Sequence, residues 1–217
     1  MISLTSAIAL IIAYILGSIP SAVWIGKFFY GIDVREYGSG NAGATNTFRV
    51  LGKKAGIPVL FIDIFKGWLA VNIALFADYK IASEQFINFQ LVLGVAALLG
   101  HIFPVFSAFR GGKGIATLLG IILAVHPLAA FISVMIFLFV FLISNYVSLG
   151  SIAAAIAFPI IVIVVFKTKI PSLVIFSLVI AILVLITHQK NIERLIRKEE
   201  GKTKLYKKKH APLVKKE

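Results

Sequence analysis

Ile2-Ser-Leu-Thr-Ser-Ala-Ile-Ala-Leu-Ile-Ile-Ala-Tyr-Ile-Leu-Gly-Ser-Ile-Pro-Ser-Ala-Val-Trp24 is a run of 23 residues without one charged side chain. A helix rises about 1.5 Å per residue, so about 20 residues cross the ~30 Å apolar layer of a bilayer. No water reaches that layer, and a helix satisfies its backbone N–H and C=O groups within one segment. The run therefore reads as a transmembrane helix. Nothing before it resembles the basic leader of a secretory signal, and no small-residue cleavage site follows, so a retained helix is expected.

Six further apolar runs follow at about 55–77, 89–106, 114–125, 128–143, 149–166 and 170–186. The run at 114–125 is too short to cross unaided and needs its flanks or its neighbours. Across all 217 residues, 59% are hydrophobic and 14% charged, with a mean hydropathy of +0.98. Soluble domains carry about 25% charged residues, and a chain this apolar could not cover its own surface in water. The expected fold is all-α: a polytopic membrane protein of about seven transmembrane helices. Its expected domains are the membrane part, 1–195, and a basic cytoplasmic tail, 196–217. Cysteine is absent, which excludes disulfides and thiolate metal sites.

The charge is strongly asymmetric. Lys and Arg number 22 against 9 Asp and Glu, and eleven of the 22 lie from Lys190 onward. Basic residues favour the cytoplasmic side of a membrane. With the loop after the first span inside, that side receives Lys27, Arg35, Arg49, Lys53, Lys54, Arg110, Lys113 and the tail, 18 in all. Only Lys80, Lys167 and Lys169 fall outside, and Lys66 lies within a span. The N-terminus is therefore expected outside and the C-terminus inside. The tail reads as an anchor to anionic lipid; it has few aromatics and no recognisable module, which argues against nucleic acid.

All three unusual polar stretches then face the cytoplasm. The first is Tyr37-Gly-Ser-Gly-Asn-Ala-Gly-Ala-Thr-Asn-Thr-Phe-Arg49. Glycines 38, 40 and 43 let backbone N–H groups converge as an anion nest. Ser39, Asn41, Thr45 and Asn46 add donors, with Thr45 or Asn46 expected to cap a short helix. Arg49 adds the planar fork that suits phosphate. The spacing formally matches the dinucleotide fingerprint, but no strand precedes it and no βαβ unit fits here.

The second stretch, His101-Ile-Phe-Pro-Val-Phe-Ser-Ala-Phe-Arg-Gly-Gly-Lys-Gly114, places Arg110 and Lys113 around Gly111 and Gly112 at a helix start. This is again an anion cradle at the positive end of a helix. It is not a Walker A loop, because neither Ser nor Thr follows the lysine. The third, Ser144-Asn-Tyr-Val-Ser-Leu-Gly-Ser151, supplies hydroxyls that either line a cavity or serve helix packing. Asp63 and Lys66, three apart on one helix face at membrane depth, either pair with each other or face a substrate cavity. His188 and Asn191 share a face at the inner end of the last span, and His101 reads as an orienting residue.

These residues resemble the inner-face motifs of the acyl-phosphate-dependent glycerol-3-phosphate acyltransferases, the PlsY family. The matching segments are Gly38 to Asn46, Gly100 to Phe106 with Gly111 to Gly114, and Tyr146 to Ser151, with His188 and Asn191 in agreement. The resemblance spans Gly17 to about Leu195. It implies an enzyme of phospholipid synthesis in the bacterial inner membrane. Such an enzyme moves a fatty acyl group from acyl phosphate to the 1-hydroxyl of glycerol 3-phosphate, giving lysophosphatidic acid and phosphate. Neither coenzyme A, another cofactor nor a metal is implied. It also implies roles: Ser39, Arg49 and Lys113 in catalysis, and Gly38, Gly40, Asn41, Thr45, Asn46, Gly111 and Gly112 in binding substrate. Ser148, His188 and Asn191 would complete the wall. Ser39 as a covalent nucleophile is the lesser alternative.

A transporter of anionic solutes is the main rival. Transporters place their sites near the bilayer midplane and are built from internal repeats. Here the polar stretches gather at one face and no repeat is visible.

Overall fold

A computed structural model of the protein describes residues 4–203. Among them the chain forms ten α-helices and no strand. Of the described residues, 4–125 form one compact unit and 126–203 another.

The first unit holds α1 (Leu4–Gly17), α2 (Ser21–Tyr30), α3 (Ala44–Leu51), α4 (Lys53–Asn72), α5 (Glu84–Ile102) and α6 (Ile115–Val125). The opening apolar run is not one straight helix. Pro20 has no N–H to donate and its ring crowds the preceding turn, so the chain breaks there and α2 leaves α1 at 44°. α2 then continues past Trp24 to Tyr30, where Gly31 adopts a left-handed conformation (φ 68°) and closes the helix. With the 3₁₀ turns that follow them, α4 and α5 each make a span of 24 residues. α6, at 11 residues, reaches only about 16 Å and does not cross alone.

Glycine lets these helices touch. A Cβ on Gly120 would overlap the Ile64 carbonyl, and one on Gly67 the Thr117 carbonyl, so α4 and α6 meet backbone to backbone. Gly17 and Gly100 do the same for α1 and α5, against Ala97 and Tyr14. Between lipid-immersed helices such close dispersion contact replaces hydrophobic driving force. A buried cluster dominated by Ala9, Ala13, Ala70, Ala74 and Ala97 fits that picture.

The second unit holds α7 (Pro127–Ser144), α8 (Val147–Ile160), α9 (Pro171–Thr187) and α10 (Gln189–Ile196). Pro159 near the end of α8 cannot extend the normal ladder. The chain widens into a π-turn over Ile161–Val165, where the Phe166 N–H reaches Ile161 O at 3.0 Å. α10 turns 60° from α9 at His188. α7 exposes Leu128, Phe131, Phe139 and Leu142, a surface suited to lipid and not to water.

All seven apolar runs are helical. Four helices are long and apolar enough to cross a membrane alone, and six spans result if each bent pair counts as one. Of the basic tail, residues 204–217 lie outside the described residues. Just past α10, Lys198 takes a positive φ of 60° while its N–H bonds Leu195 O at 3.1 Å. A side chain is disfavoured in that conformation and glycine is not. Lys198→Gly should therefore stabilise the protein by up to about 1 kcal/mol, read as a higher unfolding temperature in detergent.

Candidate functional site

The first polar loop is organised by one asparagine. Asn46 on α3 is 1% exposed. Its Oδ1 accepts the Ser39 N–H at 2.9 Å, and its Nδ2 donates to Val34 O at 2.8 Å and Tyr37 O at 3.1 Å. Gly38 and Gly40, with φ of 60° and 72°, make the tight turn that wraps this carboxamide. Asn41 folds its side chain against Gly43.

One expectation is corrected here. Neither Thr45 nor Asn46 caps the helix: α3 starts at Ala44 after Gly43, with Thr45 exposed in its first turn. Two of the loop's N–H groups turn inward, Ser39 N–H to Asn46 and Gly40 N–H to Tyr37 O at 3.0 Å. The buried carboxamide needs these partners more than a solvated loop does. The loop's side-chain donors include the hydroxyls of Ser39 and Thr45 and the Arg49 guanidinium. Arg49 lies one turn after Thr45, is exposed, and forms no ion pair among the described residues. Its Cδ lies 3.4 Å from where a Cβ on Gly38 would stand.

The second loop folds back on the end of α5. The last carbonyls of a helix lack partners within it, and here Gly111 N–H bonds Ile102 O while Gly112 N–H bonds His101 O, both at 3.2 Å. Any Cβ on Gly111 would strike the His101 carbonyl, and one on Gly112 the His101 ring. Both glycines press the chain flat against α5. Lys113 then stands half-buried, two residues before α6 begins at Ile115. The two loops adjoin: the Ala42 carbonyl lies 3.3 Å from the Cβ position of Gly112.

Beneath them lies a buried polar network. Asp63 and Lys66, 1% and 3% exposed, form an ion pair of 2.9 Å. Ser21 Oγ donates to Asp63 Oδ1 at 2.7 Å, and Lys66 Nζ donates to the Ile19 carbonyl at 2.7 Å. That carbonyl is available because Pro20 breaks the helix. His101 Nδ1 lies 3.7 Å from Asp63 and 2.9 Å from Thr117 Oγ1, in agreement with an orienting role. A cavity of about 10 Å³, room for one water, is lined by Asp63, Lys66, His101 and both loop glycines. Of the two readings left open for Asp63 and Lys66, the structure shows the pair.

In the second unit Ser148 and Asn191 are brought together by a residue the sequence did not single out. Glu200 lies in the tail, to which no chemistry was assigned. Its Oε1 accepts from Ser148 Oγ at 2.9 Å and Asn191 Nδ2 at 2.6 Å, and its Oε2 from Arg194 Nε at 2.9 Å. Burial pushes the Glu200 carboxyl up, but the hydrogen bonds from Asn191 and Ser148 and the Arg194 charge outweigh it and hold the pKa below the usual value. His188 is buried, with Nδ1 2.9 Å from the Val184 carbonyl. A carbonyl only accepts, so Nδ1 donates to it. Ser144 and Ser151 bond back to their own helices at Val140 O and Val147 O. Among the third stretch's hydroxyls, only Ser148 is held in this cluster.

Residues 7–198 match the family model described as glycerol-3-phosphate acyltransferase. A glycerol-3-phosphate acyltransferase of Staphylococcus carnosus is 44% identical, over 90% of this chain and 96% of the relative. One of Fusobacterium nucleatum is 43% identical, again over 90% and 96%. Among solved structures, PlsY, an integral membrane glycerol 3-phosphate acyltransferase, superposes in its glycerol 3-phosphate form with a TM-score of 0.82 at 39% identity, over 92% of this chain and 96% of that one. Its lysophosphatidic acid form gives 0.78 at 38% identity, over 91% and 94%. The membrane helices, the paired glycine-and-cation loops and these matches agree, and the chain belongs to the glycerol-3-phosphate acyltransferase family, as an integral membrane acyltransferase of the PlsY type.

Proposed function

We propose that the protein transfers a fatty acyl group from acyl phosphate to the 1-hydroxyl of glycerol 3-phosphate, releasing lysophosphatidic acid and inorganic phosphate. The observation that carries this reading is the pair of adjoining loops in one compact unit, each bearing a cation beside glycines. Both substrates are phosphates, and two anion sites match two phosphates. The solved PlsY forms with glycerol 3-phosphate and lysophosphatidic acid support the acceptor and the product.

The chemistry asks little of the protein beyond placement and charge. The 1-hydroxyl oxygen attacks the acyl carbonyl carbon, and an ester C–O bond forms. The bond between the acyl carbon and the bridging oxygen breaks, that oxygen leaves with phosphorus as inorganic phosphate, and the hydroxyl proton passes to a phosphate oxygen. Phosphate is already a good leaving group, so binding both reactants in line and neutralising charge is enough. Arg49 and Lys113 supply that neutralisation, with Ser39 and Thr45 donating to phosphate oxygens. Asn41 and Asn46 shape the first loop, Gly38, Gly40, Gly111 and Gly112 let both chains fold tightly, and Ser148, His188 and Asn191 also bind substrate.

The site faces the cytoplasm of the bacterial inner membrane, where glycerol 3-phosphate is dissolved, with the N-terminus outside. Supporting this is the charge split: eighteen basic residues on one side and three on the other. Donor choice is the direct test. The purified protein should acylate glycerol 3-phosphate from acyl phosphate and leave the coenzyme A thioester unused; efficient transfer from the thioester would sink the proposal.

A further inference from the structure

Both phosphate loops are also tied to the 3₁₀ turn Val34–Glu36, whose Val34 side chain is fully buried with Ala22 and Val59. The Val34 carbonyl orients Asn46, which in turn fixes Ser39. The next residue reaches the other loop. Arg35 NH1 donates to Ser107 O at 2.9 Å and to Arg110 O at 3.3 Å, the carbonyls just before Gly111-Gly112-Lys113.

The guanidinium is itself clamped. Its Nε and NH2 grip the two Asp33 oxygens at 2.9 and 2.7 Å, and Asp33 Oδ1 also accepts the Arg35 N–H at 3.0 Å. The Asp33 carboxyl is held at about 2, mainly by the Arg35 hydrogen bond and despite burial, so the clamp stays charged across the working pH range. Lys27 adds a further contact at 3.4 Å. From the sequence Arg35 reads as a topology charge only; the structure gives it partners that a lysine could not all reach, because only a planar fork donates in several fixed directions.

We propose that Arg35 is a positioning residue for acyl transfer, a strap that sets the Lys113 loop at a fixed place relative to the Ser39–Arg49 loop. The strap rests on the assignment of those loops to the substrate phosphates. Misplacing a binding group by about 1 Å costs about 10²-fold in rate. In the full-length protein, Arg35→Gln should lower turnover by about that factor without lowering the unfolding temperature appreciably, since Val34 still anchors the turn. Arg35→Lys should recover only part of the loss.

Hydrogen exchange gives a readout independent of catalysis. In Arg35→Gln the Arg110, Gly111 and Gly112 amides should exchange about tenfold faster or more, the expected cost of a lost charged hydrogen bond, while the amides of α4 stay as in the wild type. Unchanged exchange in that loop overturns the strap whatever the rate does, and faster exchange at wild-type turnover overturns its role in the reaction. If the wild-type protein cannot use acyl phosphate, the functional assignment fails, and the exchange result still decides the strap.

Discussion

Lys113→Ala should lower turnover about 10²–10³-fold, the usual cost of removing one preorganised charge donor from a developing anion. The Gly111 and Gly112 amides are committed to the end of α5, so side chains carry the charge neutralisation in the second loop. Arg49→Ala should fall by a similar factor, and Arg49→Lys should also be poor, because an ammonium cannot reproduce the bidentate fork. Both variants should insert and purify normally, since Arg49 is exposed and Lys113 is only half-buried. Lys54→Ala, a topology charge, should change rates only slightly. Ser39→Ala separates the two readings of Ser39: a hydroxyl that only donates leaves measurable activity, and a nucleophile leaves none. Steady-state kinetics with both substrates varied checks the series. Wild-type turnover in Lys113→Ala would refute the assignment of the second loop.

Lys66→Met should have the largest effect on stability. It removes the partner of a carboxylate that is 1% exposed and paired at 2.9 Å, and it also takes one of two donors from the Ile19 carbonyl at the helix break, leaving only the Ser21 N–H. Breaking a buried pair on one side costs about 3–5 kcal/mol, enough to unfold a protein of ordinary stability. Asp63→Leu combined with Lys66→Met leaves no unpaired charge and should recover much of that loss. Thermal unfolding in detergent measures both. A single variant as stable as the wild type would show that the pair does not hold α4 to the break between α1 and α2.

The spans were legible because lipid imposes one simple rule, and a run such as 128–143 obeys it without help from the rest of the chain. Pro20 was visible inside the first run, yet the 44° bend and the Lys66 contact with Ile19 depend on a helix more than forty residues away. The cations Arg49 and Lys113 could be read from their glycine neighbours. The direction of the backbone donors could not, because Asn46 captures the Ser39 N–H only once α3 has docked. Glu200 was missed for a similar reason: it looks like part of a basic tail until the chain returns it to Ser148 and Asn191. Arg35 resembled any membrane-edge arginine until Asp33, Ser107 and Arg110 were in place around it.

Acyl transfer between two phosphates is tested most directly by counting both products at once. The purified protein, reconstituted with acyl phosphate and glycerol 3-phosphate only, should form one lysophosphatidic acid for each phosphate released, and stop when either substrate is withheld. Phosphate release that continues without glycerol 3-phosphate, or lysophosphatidic acid formed from a thioester with no phosphate released, would contradict the account.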